Sequence, residues 1–297
     1  MIGRPKEQAI VKPRSTGTIN VKQPRFEHLH FNGSMRVLVS GKSGSGKSQL
    51  MLSAVTDFYR GCFDKGGIVI VARTAFLDPT FTALREHAEA HFGQNNKERP
   101  FVFTSPSDPK LLDLFEEHED LVRKEKAQRK IDKSSKPLTS RLWIYDDVSD
   151  DPQLRIREGL LPKLFSTGRH SCQSVWCNVH QLTAVSPLLR KNASMLCCFK
   201  ISNALEMQKL TEEYSWLIGR EEFLEMYNIS AGRNAPPYSW LTIMCVEQDP
   251  AKMFYARFDQ RLEIDDGGEP EEPPPQPSLA QSSGRPAQMR NDPQAPP

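Results

Sequence analysis

No apolar run in this 297-residue sequence approaches the roughly 20 residues a membrane-spanning helix needs, and the basic N-terminus has no hydrophobic core of the kind a secretory signal carries. The expectation is a soluble, intracellular chain. Cysteine chemistry is also scarce. Cys62, Cys172, Cys177, Cys197, Cys198 and Cys245 include no CxxC pair and no metal-ligand spacing, and most sit in apolar segments. They read as buried free thiols in a reducing compartment. Excess charge is nearly absent, at +2 overall, which rules out a bulk polycation. There is no internal repeat. Large apolar side chains almost vanish from Asp265 to Pro297, a stretch holding nine of the 23 prolines, so these residues cannot bury enough surface to offset ordering entropy and read as a disordered tail.

Against that sparse background one segment stands out. Gly41-Lys42-Ser43-Gly44-Ser45-Gly46-Lys47-Ser48 is a full GxxxxGK[ST] P-loop, preceded by the apolar run Met35 to Ser40 and followed by the helix-like Gln49 to Val55. A strand feeding a glycine-rich turn and then a helix aims backbone N–H groups at phosphates. Gly41, Gly44 and Gly46 let the backbone curl close to the phosphates. Lys47 is placed to reach the β- and γ-phosphates, Ser48 to ligate Mg²⁺, and Lys42, Ser43, Ser45 and Gln49 complete the cradle.

The remainder alternates strand-like and helix-like patterns. Apolar runs at 68–72, 101–104, 142–145, 174–178 and 195–199 are separated by helical patterns near 79–91, 109–122, 154–166 and 187–192. A helical stretch near 204–229 leads to two further runs, 240–246 and 253–258, that read as a terminal β-hairpin. Such alternation predicts an α/β fold with a mostly parallel sheet flanked by helices. The predicted organisation is a basic extension over 1–30, a P-loop ATPase domain over 31–262 and a proline-rich tail over 263–297.

Charge is segregated despite its near balance. Six Lys or Arg against one acid occupy the first 25 residues, and eight against Glu125 and Asp132 occupy 123–141. This distribution suits either a nucleic-acid surface or a solvated helix end and loop.

A second hydrolytic element is Leu142-Trp143-Ile144-Tyr145-Asp146-Asp147, an apolar strand ending in paired acids about 100 residues after the P-loop. Asp146 would help hold Mg²⁺ and Asp147 would orient or deprotonate the attacking water. Gln181, just past the strand at 174–178, would contact the γ-phosphate if that strand is inserted between the P-loop and acidic strands. His87 and His91 share a helix face at zinc-binding spacing. They lack a glutamate directly after the first histidine and a third ligand, so a solvated face is the better reading.

Together the P-loop, Leu142 to Asp147, Leu164-Phe165-Ser166-Thr167-Gly168-Arg169-His170, Ser174 to Gln181 and Pro187 to Asn192 resemble the FtsK/HerA superfamily. Within it they are closest to the poxvirus-type genome-packaging ATPases of large DNA viruses, virophages and Polinton-like elements. Two positions depart from the pattern: His180 stands where Thr is usual, and Thr167 where Arg is commoner. The resemblance implies an inserted-strand, RecA/FtsK-like sheet and a homo-oligomeric ring using ATP and Mg²⁺ to move double-stranded DNA, with a capsid or portal-region partner at virion assembly sites. It also implies an arginine finger acting on the neighbouring subunit, with Arg169 and Arg190 as candidates. The alternatives are a nucleotide-gated switch module and a HerA-like cellular DNA-processing ATPase.

Overall fold

The computed structural model describes residues 23–263, apart from 27, 30, 149, 150 and 157. Most of the expected basic extension and nearly all of the proline-rich tail lie outside the described residues.

Among those residues the apolar runs become strands Arg36–Ser40 (β1), Ile68–Ala72 (β2), Val102–Phe103 (β3), Arg141–Asp146 (β4), Gln173–Val179 (β5) and Met195–Cys198 (β6). Three more follow, Leu241–Ile243 (β7), Phe254–Ala256 (β8) and Gln260–Arg261 (β9). They form one sheet in the order β3-β2-β4-β5-β1-β6-β7-β8-β9. Pairings from β3 through β6 are parallel, and those from β6 through β9 are antiparallel. The expected C-terminal hairpin is β7–β8, and it extends the parallel sheet at the β6 edge.

Among the described residues seven α-helices accompany the sheet: Lys47–Ser53 (α1), Pro79–Phe92 (α2), Lys110–Asp132 (α3), Leu160–Ser166 (α4), Pro187–Asn192 (α5), Ala204–Tyr214 (α6) and Arg220–Ser230 (α7). Helices cover both faces, which is why the parallel strands read as unbroken apolar runs instead of alternating ones. Successive side chains of a strand go to opposite faces. Val37, Ile70, Ile144 and Trp176 therefore pack with Met51 of α1 and Phe81 of α2, while Leu38, Val71, Tyr145 and Cys177 pack with Phe115 of α3 and Phe165 of α4.

Two predicted helices are each interrupted. The 154–166 pattern resolves into a 3₁₀ turn at Pro152–Leu154 and then α4, and the 204–229 pattern into α6 and α7. The residues opening α4 and α7 are Gly159 (φ 107°) and Gly219 (φ 93°), conformations that end helical geometry and that glycine adopts without a Cβ clash. The other departure is at α1. Its last turn widens into a π-helical turn over Ala54–Phe58, where the Tyr59 N–H donates to Ala54 O at 2.8 Å.

Strand β5 lies between β1 and β4, pairing Val39 with Asn178 on one side and Cys177 with Tyr145 on the other. The chain thus has the inserted-strand P-loop NTPase fold that its sequence predicts. The C-terminal ends of β1, β4 and β5 open on one rim, where the loops of a parallel sheet form ligand sites.

Candidate nucleotide site

On that rim a cavity of about 840 Å³ is lined by the P-loop, Asp146, Asp147, Asn178 and His180. The P-loop leaves β1 with Gly44 at φ 73° and Gly46 at φ 104°, both in the left-handed region open to glycine. Gly46 caps α1 through its backbone, its carbonyl accepting from the Leu50 N–H at 2.9 Å. Lys47 is buried, and its ammonium donates to Gly41 O at 2.6 Å and Lys42 O at 3.0 Å. Burial pulls the Lys47 pKa below its ordinary value, an effect the Asp146 and Asp147 carboxylates oppose.

The Ser48 Oγ donates to Asp146 Oδ2 at 3.0 Å across 98 residues of sequence. Asp146 is 7% exposed. Burial raises its pKa, while hydrogen bonds from Ser48 and Asn178 and the Lys47 charge hold it down. Asp147 is exposed at φ 53°, its N–H donating to Asp146 Oδ1 at 3.0 Å, and its own Oδ1 lies 3.3 Å from His180 Nε2.

The site suits a triphosphate held with magnesium. The Ser45 Oγ is buried without a hydrogen-bond partner inside the cradle, a group awaiting an acceptor. Ser48 and Asp146 offer adjacent hard oxygens, and magnesium is commonly held by one or two such protein ligands plus substrate phosphates. Among the described residues no group of three or more His, Cys, Asp or Glu could hold a metal. His87 and His91 stack on α2 with ring centroids 4.1 Å apart.

Three sequence-predicted residues sit elsewhere. Gln181 does not line this cavity; it borders a separate hollow of about 540 Å³ with Arg155, Ser186, Arg190 and Lys209. The polar side chain at the end of the inserted strand is instead Asn178, which is 1% exposed. The Trp176 indole donates to Asn178 Oδ1 at 2.9 Å, which leaves the Asn178 amide donors for Asp146. Parity explains the exchange: Trp176 and Asn178 share the β5 face that α1 covers, whereas Gln181 follows the strand. The available signal was an amide closing an otherwise apolar run.

Arg190 is not presented at the surface. It is 5% exposed, its Nη2 donates to Glu213 Oε1 at 2.7 Å and its Nη1 donates to Val185 O, so the candidate finger is an internal ion pair. Arg169 is exposed, in the 3₁₀ turn Gly168–Ser171 that precedes β5. Five steps along the strand, about 16 Å, carry the chain from Gln173 at the start of β5 to Asn178. Arg169 therefore belongs to the opposite rim from its own chain's P-loop.

One further residue ties the site to the second hollow. Glu206 of α6 is buried, and its Oε1 accepts from Ser40 Oγ at 3.1 Å and from the Leu182 N–H at 2.6 Å. It links the last residue of β1 to the segment that follows Gln181.

Residues 113–248 match the family described as Poxvirus A32 protein. The resemblance read from the motifs is borne out over this stretch, which starts inside α3 and ends beyond β7. It contains Asp146, Asp147, Arg169 and Asn178, while the P-loop lies outside it and stands on its own residues. No curated protein matches the chain. Among solved structures, the genome packaging NTPase B204 of Sulfolobus turreted icosahedral virus 2, in complex with ATP-gammaS, is 14% identical, covering 74% of this chain and 96% of that one at a TM-score of 0.44. EssC (ATPases 2 and 3) from Geobacillus thermodenitrificans is 13% identical, covering 71% of this chain and 37% of its own at 0.47. At these scores the fold assignment rests on this chain's own sheet order and P-loop.

Proposed function

We propose that the chain is a magnesium-dependent ATPase that drives double-stranded DNA, packaging a viral genome as part of a homo-oligomeric ring. The observation that carries the hydrolytic half is the Ser48–Asp146 hydrogen bond, which joins the P-loop to the acidic strand at the mouth of one cavity. Ser48 and Asp146 would hold magnesium, which, when bound, offsets charge on the β- and γ-phosphate oxygens.

The chain's own groups do the rest. Lys47 exchanges its carbonyl partners for phosphate oxygens. Asp147, positioned through Asp146 and His180, accepts a proton from the water that attacks the γ-phosphorus as ADP departs. The Asn178 amide faces the cavity from the inserted strand and is placed to sense whether the γ-phosphate is present. Arg169, remote from its own cavity and exposed, is available to a neighbour's nucleotide in a ring.

The DNA half is supported by the family match and by chemistry. The basic run at the end of α3 includes Lys126, which donates to His170 O, one residue from Arg169. A motor that ignores sequence needs contacts to phosphates, not to bases.

Steady-state turnover with and without duplex DNA tests the reading. Duplex should stimulate hydrolysis, Asp147→Asn should cut it by about 10²–10⁴-fold, and DNA affinity should fall steeply with salt. Turnover indifferent to DNA, or salt-independent affinity, would refute the motor; undiminished turnover in Asp147→Asn would refute the catalytic assignment.

A further inference from the structure

The cavity beside the P-loop is too large for phosphates alone, and one of its sides is aromatic. Phe58, Tyr238 and Trp240 line it together with the P-loop. Trp240 and Phe58 are not loose rings. Trp240 lies 5.4 Å from Phe199 and 5.4 Å from Phe258, which is 5.4 Å from Phe58, centroid to centroid. The Trp240 indole also donates to Thr242 Oγ1 at 2.9 Å. This chain of rings forms a stiff floor that continues under the P-loop, where Phe199 sits against Gly41 and Gly46.

Tyr238 differs from the rest. The residue is 72% exposed, a high value for a large aromatic at a cavity mouth. Its backbone has φ 58°, a region that bulky residues seldom occupy. Pro236 and Pro237 precede it, and the Ser239 N–H closes the turn on Pro236 O at 3.2 Å. The turn sets the ring against the P-loop itself: Tyr238 Cδ1 and Cβ lie 3.6 and 3.8 Å from where a Cβ on Gly46 would stand. A strained residue of this kind persists where the surroundings determine it, and such positions gather at ligand clamps.

We propose that Tyr238 is the platform on which the base of the bound nucleotide stacks, with Trp240 and Phe58 as the apolar wall behind it. The inference rests on the nucleotide reading above and extends it to recognition of the base. The P-loop fixes the phosphates at one end of the cavity, so the nucleoside must extend along it. Hydrated, charged phosphates belong with Lys47 and the loop N–H groups, and a flat apolar base belongs with the rings. Stacking would cover the exposed tyrosine face, and base–aromatic stacking contributes measurably without requiring any particular base edge.

The test compares two probes on the full-length protein by titration calorimetry, ATP and inorganic tripolyphosphate, each with magnesium. Tyr238→Ala should weaken ATP by at least about fivefold and leave tripolyphosphate unchanged. Tyr238→Phe should bind ATP like the parent, because the ring does the stacking. Tyr238→Gly, which suits the backbone angle, should reproduce the alanine result and so separates loss of the ring from local misfolding. ATP affinity unaltered in Tyr238→Gly, or ATP and tripolyphosphate weakened equally, would overturn the platform. A parent protein that binds neither probe would instead overturn the P-loop reading on which the platform depends.

Discussion

Replacing Arg190 by alanine should destabilise the fold more than it disturbs chemistry, because the side chain is committed internally. Its guanidinium is 5% exposed and bonds both Glu213 oxygens and the Val185 carbonyl. Removing one member of a buried ion pair costs about 3–5 kcal/mol when the other is left without solvent. The Glu213 side chain is 27% exposed and regains some water, so about 2–3 kcal/mol is the better figure here. For a domain of this size that is a fall in melting temperature of about 5–10 °C. Scanning calorimetry or dye-monitored melting of the parent, Arg190→Ala and Arg169→Ala measures it. Arg169→Ala, with an exposed side chain, should melt with the parent yet lose DNA-stimulated turnover while still binding ATP. Arg190→Leu combined with Glu213→Leu should recover most of the lost stability. If Arg190→Ala melted unchanged and lost all turnover, the internal-pair reasoning would be wrong and the finger would be Arg190.

Two other perturbations follow from buried groups. His118 on α3 is 1% exposed, and burial, aided by the Arg141 charge, pushes its pKa down to about 3. The unfolded chain takes up a proton there near its ordinary value of 6.5 while the folded chain does not, so His118 stability present above that value drains as pH falls from about 6.5 towards 3, at up to about 1.4 kcal/mol per unit. Urea melts across that range should show the slope, and His118→Phe should flatten it; an identical slope in the variant would exclude His118 as its source. Glu206→Ala strips the Leu182 N–H and Ser40 Oγ of their shared acceptor, at about 1–3 kcal/mol for the buried N–H. Turnover should fall further than ATP affinity, since the link joins the site to a distant segment; equal losses in both would argue against coupling.

The parallel strands were legible because doubly covered strands are apolar at every position, and the P-loop because its constraints are local. Asp146 and Asp147 were legible for the same reason, being adjacent in sequence at the end of such a run. Asn178 escaped notice because its placement depends on strand parity and on which helix covers which face. Arg190 could not be told from the exposed Arg169 because no neighbour in sequence reveals an arginine's ion-pair partner; Glu213, 23 residues further on, is what internalises it. The breaks at Gly159 and Gly219 were obscured by helical spacing that continues on either side. Glu206 carried no local signal, since its partners come from β1 and from the segment after β5.

The Lys47 contacts with Gly41 O and Lys42 O close the P-loop on itself. A buried ammonium needs oxygen partners, and these two come from the same loop, six and five residues back in sequence. The curl is therefore held by its own side chain as well as by its glycines, so that Lys47→Ala should loosen the cradle besides removing a charge.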